Sequence, residues 1–218
     1  MSKANMIRMS ANADASSDLQ QFLVAGGQLV EQTEPLTKRW YALSDEGEAG
    51  SHAIFDVFPD QAGRQAHFDG PVAAALAEKA PALIQGGWDG VLQGVSNMVP
   101  VATHEADATA EVKKASYITM TAAPGRAADL EAFLTAGRDM VAETEPETLY
   151  WVALKSEDES GKFAIFDLFA DDSGRAKHFG GAVAKALSEN AADLIAGGWN
   201  EGVLANVTHF QVHARVRR

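Results

Sequence analysis

Two histidines stand at matched places in this chain. His67 ends the run Gly63-Arg64-Gln65-Ala66-His67, and His178 ends Gly174-Arg175-Ala176-Lys177-His178. Imidazole is the side chain that titrates near neutrality, so each is a candidate general base. In the first turns of a helix it would feel the positive end of the helix dipole. That end favours the neutral, proton-accepting form. The alternative is a histidine that caps or bonds a nearby backbone group. Asp56 and Asp167 lie inside apolar runs, flanked by Phe55 and Val57 and by Phe166 and Leu168. Such a carboxylate either faces a pocket with a raised pKa or points to solvent on a polar face. Trp40 and Trp151 offer flat apolar walls for a bound ring, or simply core. Arg64 and Arg175 suit an anionic substrate, or an ion pair at a helix start. Trp88 and Trp199 follow glycine pairs and read as packing anchors.

These pairs belong to a repeat. Phe22 aligns with Phe133 at an offset of 111, and the same offset carries Glu34-Pro35 onto Glu145-Pro146 and Gly86-Gly87-Trp88 onto Gly197-Gly198-Trp199. No gap is needed from Lys3 to Asp89, where 44 of 87 positions are identical. One residue is then inserted in the second copy, so Gly90-Val91-Leu92 pairs with Gly202-Val203-Leu204. Two copies of domain size are a tandem duplication rather than a solenoid, which needs about three or more repeats. The expected organisation is a module over 1–102, a small polar linker over 103–113, and a second module over 114–218. The copies differ at His52 and Phe163, Arg39 and Tyr150, Lys38 and Leu149, and Gly27 and Arg138. If strand two lines the pockets, they are not equivalent.

Within a copy, Ile7 and Met9 alternate with polar neighbours as a strand does. Ser17 with Gln20 is a possible capping box. Leu19, Phe22, Leu23, Gly26 and Val30 mark one apolar helix face that stops before Pro35. Thr37 to Leu43 and Ala53 to Phe58 read as strands around an acidic, glycine-bearing loop. Asp60 and Asp171 can cap the next helix. Gly70-Pro71 can break it before the Ala-rich run to Ile84. A last strand is expected over roughly Val91 to Val101 and Val203 to Val212. The order is β-α-β-β-α-β, the ferredoxin-like unit, which leaves one sheet face for the other copy to cover.

Composition narrows the function. The formal net charge of −12 leaves no basic patch for phosphate, so nucleic acid is not an expected partner. Cysteine is absent, which excludes disulfides, thiolate metal sites and a Cys nucleophile, and fits a reducing compartment. No run approaches the ~20 apolar residues of a membrane span. No signal-like segment opens the chain, so a soluble, cytoplasmic protein is expected. His209 and His213 share a strand face without a third ligand, so no metal is expected. No nucleotide-binding glycine pattern is present.

Thr33-Glu34-Pro35-Leu36-Thr37, the strand Ala53 to Phe58, and Asp60 to His67 together resemble the antibiotic biosynthesis monooxygenase family, including its quinol monooxygenase-like branch, within the dimeric α+β barrel superfamily. Thr144 to Thr148, Ala164 to Phe169 and Asp171 to His178 repeat the pattern. The resemblance implies an α+β fold in which two ferredoxin-like modules form an intrachain pseudo-dimeric barrel, each with a pocket between sheet and helices. It also implies an oxygenase that needs no cofactor. His67 and His178 would take the hydroxyl proton of a small aromatic or quinol-like substrate, and the phenolate would then give an electron to O2. Trp40, Trp151, Asp56, Asp167, Arg64 and Arg175 would contact the substrate. A non-catalytic binding or assembly protein on the same fold is the alternative. Outer strand edges would allow a homodimer of the fused chain.

Overall fold

The computed structural model describes residues 1–106 and 110–218. The chain divides into two compact units, 1–99 with 211–218, and 100–210. The first copy runs β1 (Lys3–Ser10), α1 (Ser16–Thr33), β2 (Arg39–Asp45), β3 (Ser51–Phe58), α2 (Gln61–Phe68), α3 (Pro71–Leu83), α4 (Gly87–Gln93) and β4 (Val95–Glu105), whose residues from Pro100 on belong to the second unit. The second repeats the order as β5 (Lys114–Thr121), α5 (Ala127–Thr144), β6 (Thr148–Ser156), β7 (Lys162–Phe169), α6 (Asp172–Phe179), α7 (Ala182–Leu194), α8 (Gly198–Gly202), a 3-10 turn (Leu204–Asn206) and β8 (Val207–Arg217).

In each unit the first and second strands flank the third, antiparallel: β1 and β2 on β3, β5 and β6 on β7. The hydrogen-bonded order β1-β3-β2-β8-β5-β7-β6-β4 closes on itself, so the fold is the expected α+β barrel. A closed ladder has no outer edge, which removes the edge-strand argument for a homodimer.

β3 and β7 are buried along almost their whole length because both faces are covered. On the helix-facing side Ile54 joins Ile7, Leu19, Leu23, Trp40 and Leu76 in the core of the first unit. Ile165, Ile118, Leu130, Leu134, Trp151 and Leu187 form the matching core of the second. Asp60 and Asp171 cap α2 and α6 as expected, accepting from the amides of Gly63 and Gly174 at 2.9 Å. α3 starts at Pro71 after Gly70, again as expected.

Two local expectations change. α1 opens after Ala15 without a side-chain cap, and Ser17 Oγ accepts from Gln21 Nε2 at 3.2 Å instead of closing a box with Gln20. The glycine pairs precede helix, not strand. Gly86 and Gly87 have φ of 75° and 58°, a left-handed turn that only glycine makes without strain, and it launches α4. Val91 and Val203 therefore lie ahead of the last strands, which begin at Val95 and Val207. Of the expected linker, 103–113, residues 103–105 continue β4, and residues 107–109 lie outside the described residues.

Candidate functional site

His67 sits in the last turn of α2, not its first. Its ring packs on Phe58 and Phe68, with centroids 5.3 and 5.8 Å away. Nδ1 makes a short hydrogen bond to Glu34 Oε2, and Nε2 lies 3.4 Å from Asp56 Oδ2. Asp56 faces inward from β3 and is fully buried, so the solvent-facing alternative is corrected. Glu34 is held in turn. Thr37 Oγ1 donates to Oε2 at 3.2 Å, and the amide of Val72 donates to Oε1 at 3.4 Å. That close approach of Glu34 requires glycine at the start of α3. A Cβ on Gly70 would stand 2.8 Å from Glu34 Oε1.

The second unit builds the same triad. His178 Nδ1 bonds Glu145 Oε2, and Nε2 lies 3.5 Å from Asp167 Oδ2. Thr148 and the amide of Val183 donate to Glu145 at 3.4 and 3.1 Å.

Burial and charge set the protonation. Burial pushes Asp56 up to about 7, against the lowering pull of His67 and Arg64. Burial raises Asp167 as well, opposed by His178. For His178, burial favours the neutral ring, but Asp167 and Glu145 overturn it and raise the pKa to about 10. His67 is raised likewise by Glu34 and Asp56 against burial. The helix C-terminus adds negative potential. The neutral imidazole expected from a helix-start position is therefore disfavoured: the charged form is favoured for His178, and His67 is shifted in the same direction.

The other candidates separate. Arg64 is buried and donates to the carbonyls of Ala4 and Met98 at 3.3 and 3.1 Å. Arg175 pairs with Asp172 at the start of α6. Trp40 and Trp151 are fully buried in the cores, packed against Gly26 and Gly137.

A cavity of about 20 Å³ opens between sheet and helices in the second unit. His178 is the one ionisable group in its wall; Phe179, Leu187, Trp199, Val203 and Leu204 supply apolar surface. β6, where the copies differ, contributes nothing to this wall. Sequence reasoning missed Glu34 and Glu145 as partners of the histidines, and Phe179 and Trp199 as wall residues. The signal for the first was the repeated Glu-Pro ahead of a Thr. Among the described residues no group of three or more His, Cys, Asp or Glu is arranged to hold a metal ion, and no helix is long and apolar enough to cross a membrane.

Known structures share this architecture. A provisionally named monooxygenase from Fusobacterium nucleatum superposes on 100% of this chain and 94% of its own, with a TM-score of 0.85 at 13% identity. A ferredoxin-fold protein from Listeria monocytogenes, described as related to antibiotic biosynthesis monooxygenases, covers 98% of this chain and 96% of its own, with a TM-score of 0.55 at 7% identity. The fold is that of the antibiotic biosynthesis monooxygenase-like proteins. An anthrone oxidase-like protein has it too, over 99% of this chain and 92% of its own, with a TM-score of 0.60 at 11% identity. At these identities the likeness is one of fold. A comparison with family models finds no match, and neither does one with curated proteins.

Proposed function

We propose that this chain is a monooxygenase that oxidises a small aromatic, quinol-like substrate with O2 and without a bound cofactor. The observation that carries the reading is one titratable group, His178, braced by two buried carboxylates in the wall of an otherwise apolar cavity. Perturbed groups meeting an apolar cavity are where acid–base chemistry concentrates. A ring would lie against Phe179 and Trp199 with its hydroxyl toward His178. The imidazolium favours the phenolate by its charge. The hydroxyl proton leaves by way of the imidazole, which passes its Nε2 proton to Asp167 and accepts the one from the substrate. The electron-rich carbanion or phenolate then reacts with O2. A ring CH2 becomes C=O, the second oxygen leaves as water, and the substrate supplies all the electrons. The solved monooxygenase-like and anthrone oxidase-like neighbours support this reaction class by their names and shared fold.

The test is oxygen uptake by metal-stripped protein with hydroquinones, naphthols and anthrones. Uptake above autoxidation is expected, and its loss is expected in the double variant His67→Gln, His178→Gln with an unchanged circular dichroism spectrum. Undiminished uptake in that variant removes the histidines from the mechanism. A second reading, a non-catalytic binder of small apolar molecules, is favoured by the cavity's size. About 20 Å³ holds little more than one water, so a ring must displace the wall. Binding without uptake would establish that reading instead.

A further inference from the structure

We infer that Ser116 and His209 form a proton exit for the second unit, carrying to solvent the proton that a hydroxylated substrate gives up, and that asparagines at the same places deny this exit to the first unit. The inference rests on the proposed oxygenase reading, in which that proton comes to Asp167. There it is trapped unless a route leads out. Asp167 is fully buried. His178 is the one ionisable group in the cavity wall, and a bound ring fills the space in front of it.

One side of Asp167 does lead out. Ser116, itself fully buried, stands directly opposite it in the β5–β7 ladder. Side chains at directly opposed positions share a sheet face, with Cβ atoms ~5 Å apart. Ser116 Oγ lies 2.9 Å from His209 Nδ1. His209, on β8, is only partly buried, and its ring meets Phe179 of the cavity wall edge-on, with centroids 5.2 Å apart. A hydroxyl both donates and accepts, and an imidazole gains a proton on one nitrogen while losing one from the other. The transfer therefore balances. The Ser116 hydroxyl turns between its two neighbours, gives its proton to His209 Nδ1 and takes the one on Asp167. His209 releases its Nε2 proton to water, and exchange with water restores the starting tautomer. Serine is regenerated and Asp167 is again a carboxylate. Neither relay residue touches the substrate.

The first unit breaks the route at both places. Asn5 answers to Ser116 and Asn97 to His209. Asn5 stands opposite Asp56, and its Nδ2 donates to Asn97 Oδ1 at 2.8 Å. A side-chain amide holds its protons and has no basic nitrogen, so it hydrogen-bonds without relaying. Behind these positions the two triads match. Both histidines are 5% exposed, and each bonds a glutamate and faces a buried aspartate. Trading Ser–His for Asn–Asn thus changes the path of a proton and leaves the triad alone.

The experiment measures, by NMR of the full chain with isotope-labelled histidine, how fast the Nε2 protons of His67 and His178 exchange with water, so that no turnover is needed. A positioned proton carrier speeds transfer ~10²–10⁴-fold, so His178 should exchange at least about a hundredfold faster than His67. Ser116→Asn with His209→Asn imports the pair that the first copy already packs, and should bring His178 down to the His67 rate. Asn5→Ser with Asn97→His should speed His67, and this gain covers the case in which the first variant fails to fold. Equal exchange at the two histidines of the parent overturns the inference. So does fast His178 exchange that His209→Asn leaves unchanged, or a His67 rate unmoved by the reciprocal pair. Exchange through His209 without oxygen uptake would leave the exit standing and the oxygenase reading refuted. Uptake with equal exchange would do the reverse.

Discussion

The buried triads give a stability effect whose sign with pH is fixed. Consider Glu145→Gln. Glutamine keeps the shape, and its carbonyl can still accept from Val183, but it removes the charge beside His178. Both side chains are buried, at 6% and 5% exposure, so solvent screens the pair little. The rise of His178 from 6.5 to about 10 corresponds to at most ~5 kcal/mol for both carboxylates together, net of the opposing cost of burial. Asp167 supplies part of it. Breaking a buried pair by removing one partner costs ~3–5 kcal/mol in other proteins. About 3 kcal/mol is therefore expected, which for a chain of this size lowers Tm by roughly 6–12 °C. The pH dependence follows from the raised imidazole. Its favourable pairing is fully present below pH 6.5 and is lost as pH rises through about 10. The gap between parent and variant should thus be widest near pH 6.5 and close as pH approaches 10. Thermal unfolding followed by circular dichroism at pH 6.5, 8 and 9.5 and fixed ionic strength measures it. A gap under about 1 kcal/mol at pH 6.5, or one that widens with pH, would refute the imidazolium assignment.

Two further outcomes follow from packing. Trp151→Ala empties a fully buried indole site and should cost about 3–5 kcal/mol in urea unfolding; a cost under about 1 would mean that the indole borders open space after all. Gly202→Ala would drive a Cβ into the carbonyl oxygen of Ala196, and Gly90→Ala into that of Gln85, so each should cost roughly 1–3 kcal/mol or more. Unchanged unfolding midpoints would show that the backbone at Gln85 and Ala196 relaxes at no expense.

Glycine 90 and its partner explain why the repeat realigns after its single insertion. The inserted residue lies in the short α8 region, and the sequence returns to register at the glycine that must approach the preceding carbonyl. Elsewhere the copies trade residues in matched sets. Asn5 donates to Asn97 in one, and Ser116 pairs with His209 at the corresponding places in the other. Neither position carries a periodic signal, so such exchanges are legible only once the strands are paired.

The sequence by itself determined the duplication, the order of elements and the fold, because apolar spacing of two and of three to four residues, aspartate caps and helix-ending prolines act over a few neighbours. It also brought the right residue types forward, since His67, Asp56 and the Glu34-Pro35 turn all recur. What only the tertiary structure decided is how they meet. Glu34, Asp56 and His67 come from a helix end, a strand and a second helix, up to 33 residues apart, and no local pattern reports that separation closing. Strand alternation gives two faces but not which is covered, so Asp56 read as easily toward solvent as toward the core until both faces proved buried. The protonation of His67 turned on the length of α2. A helix eight residues long puts the ring at its negative end beside Glu34 and Asp56, which shift it toward the charged form.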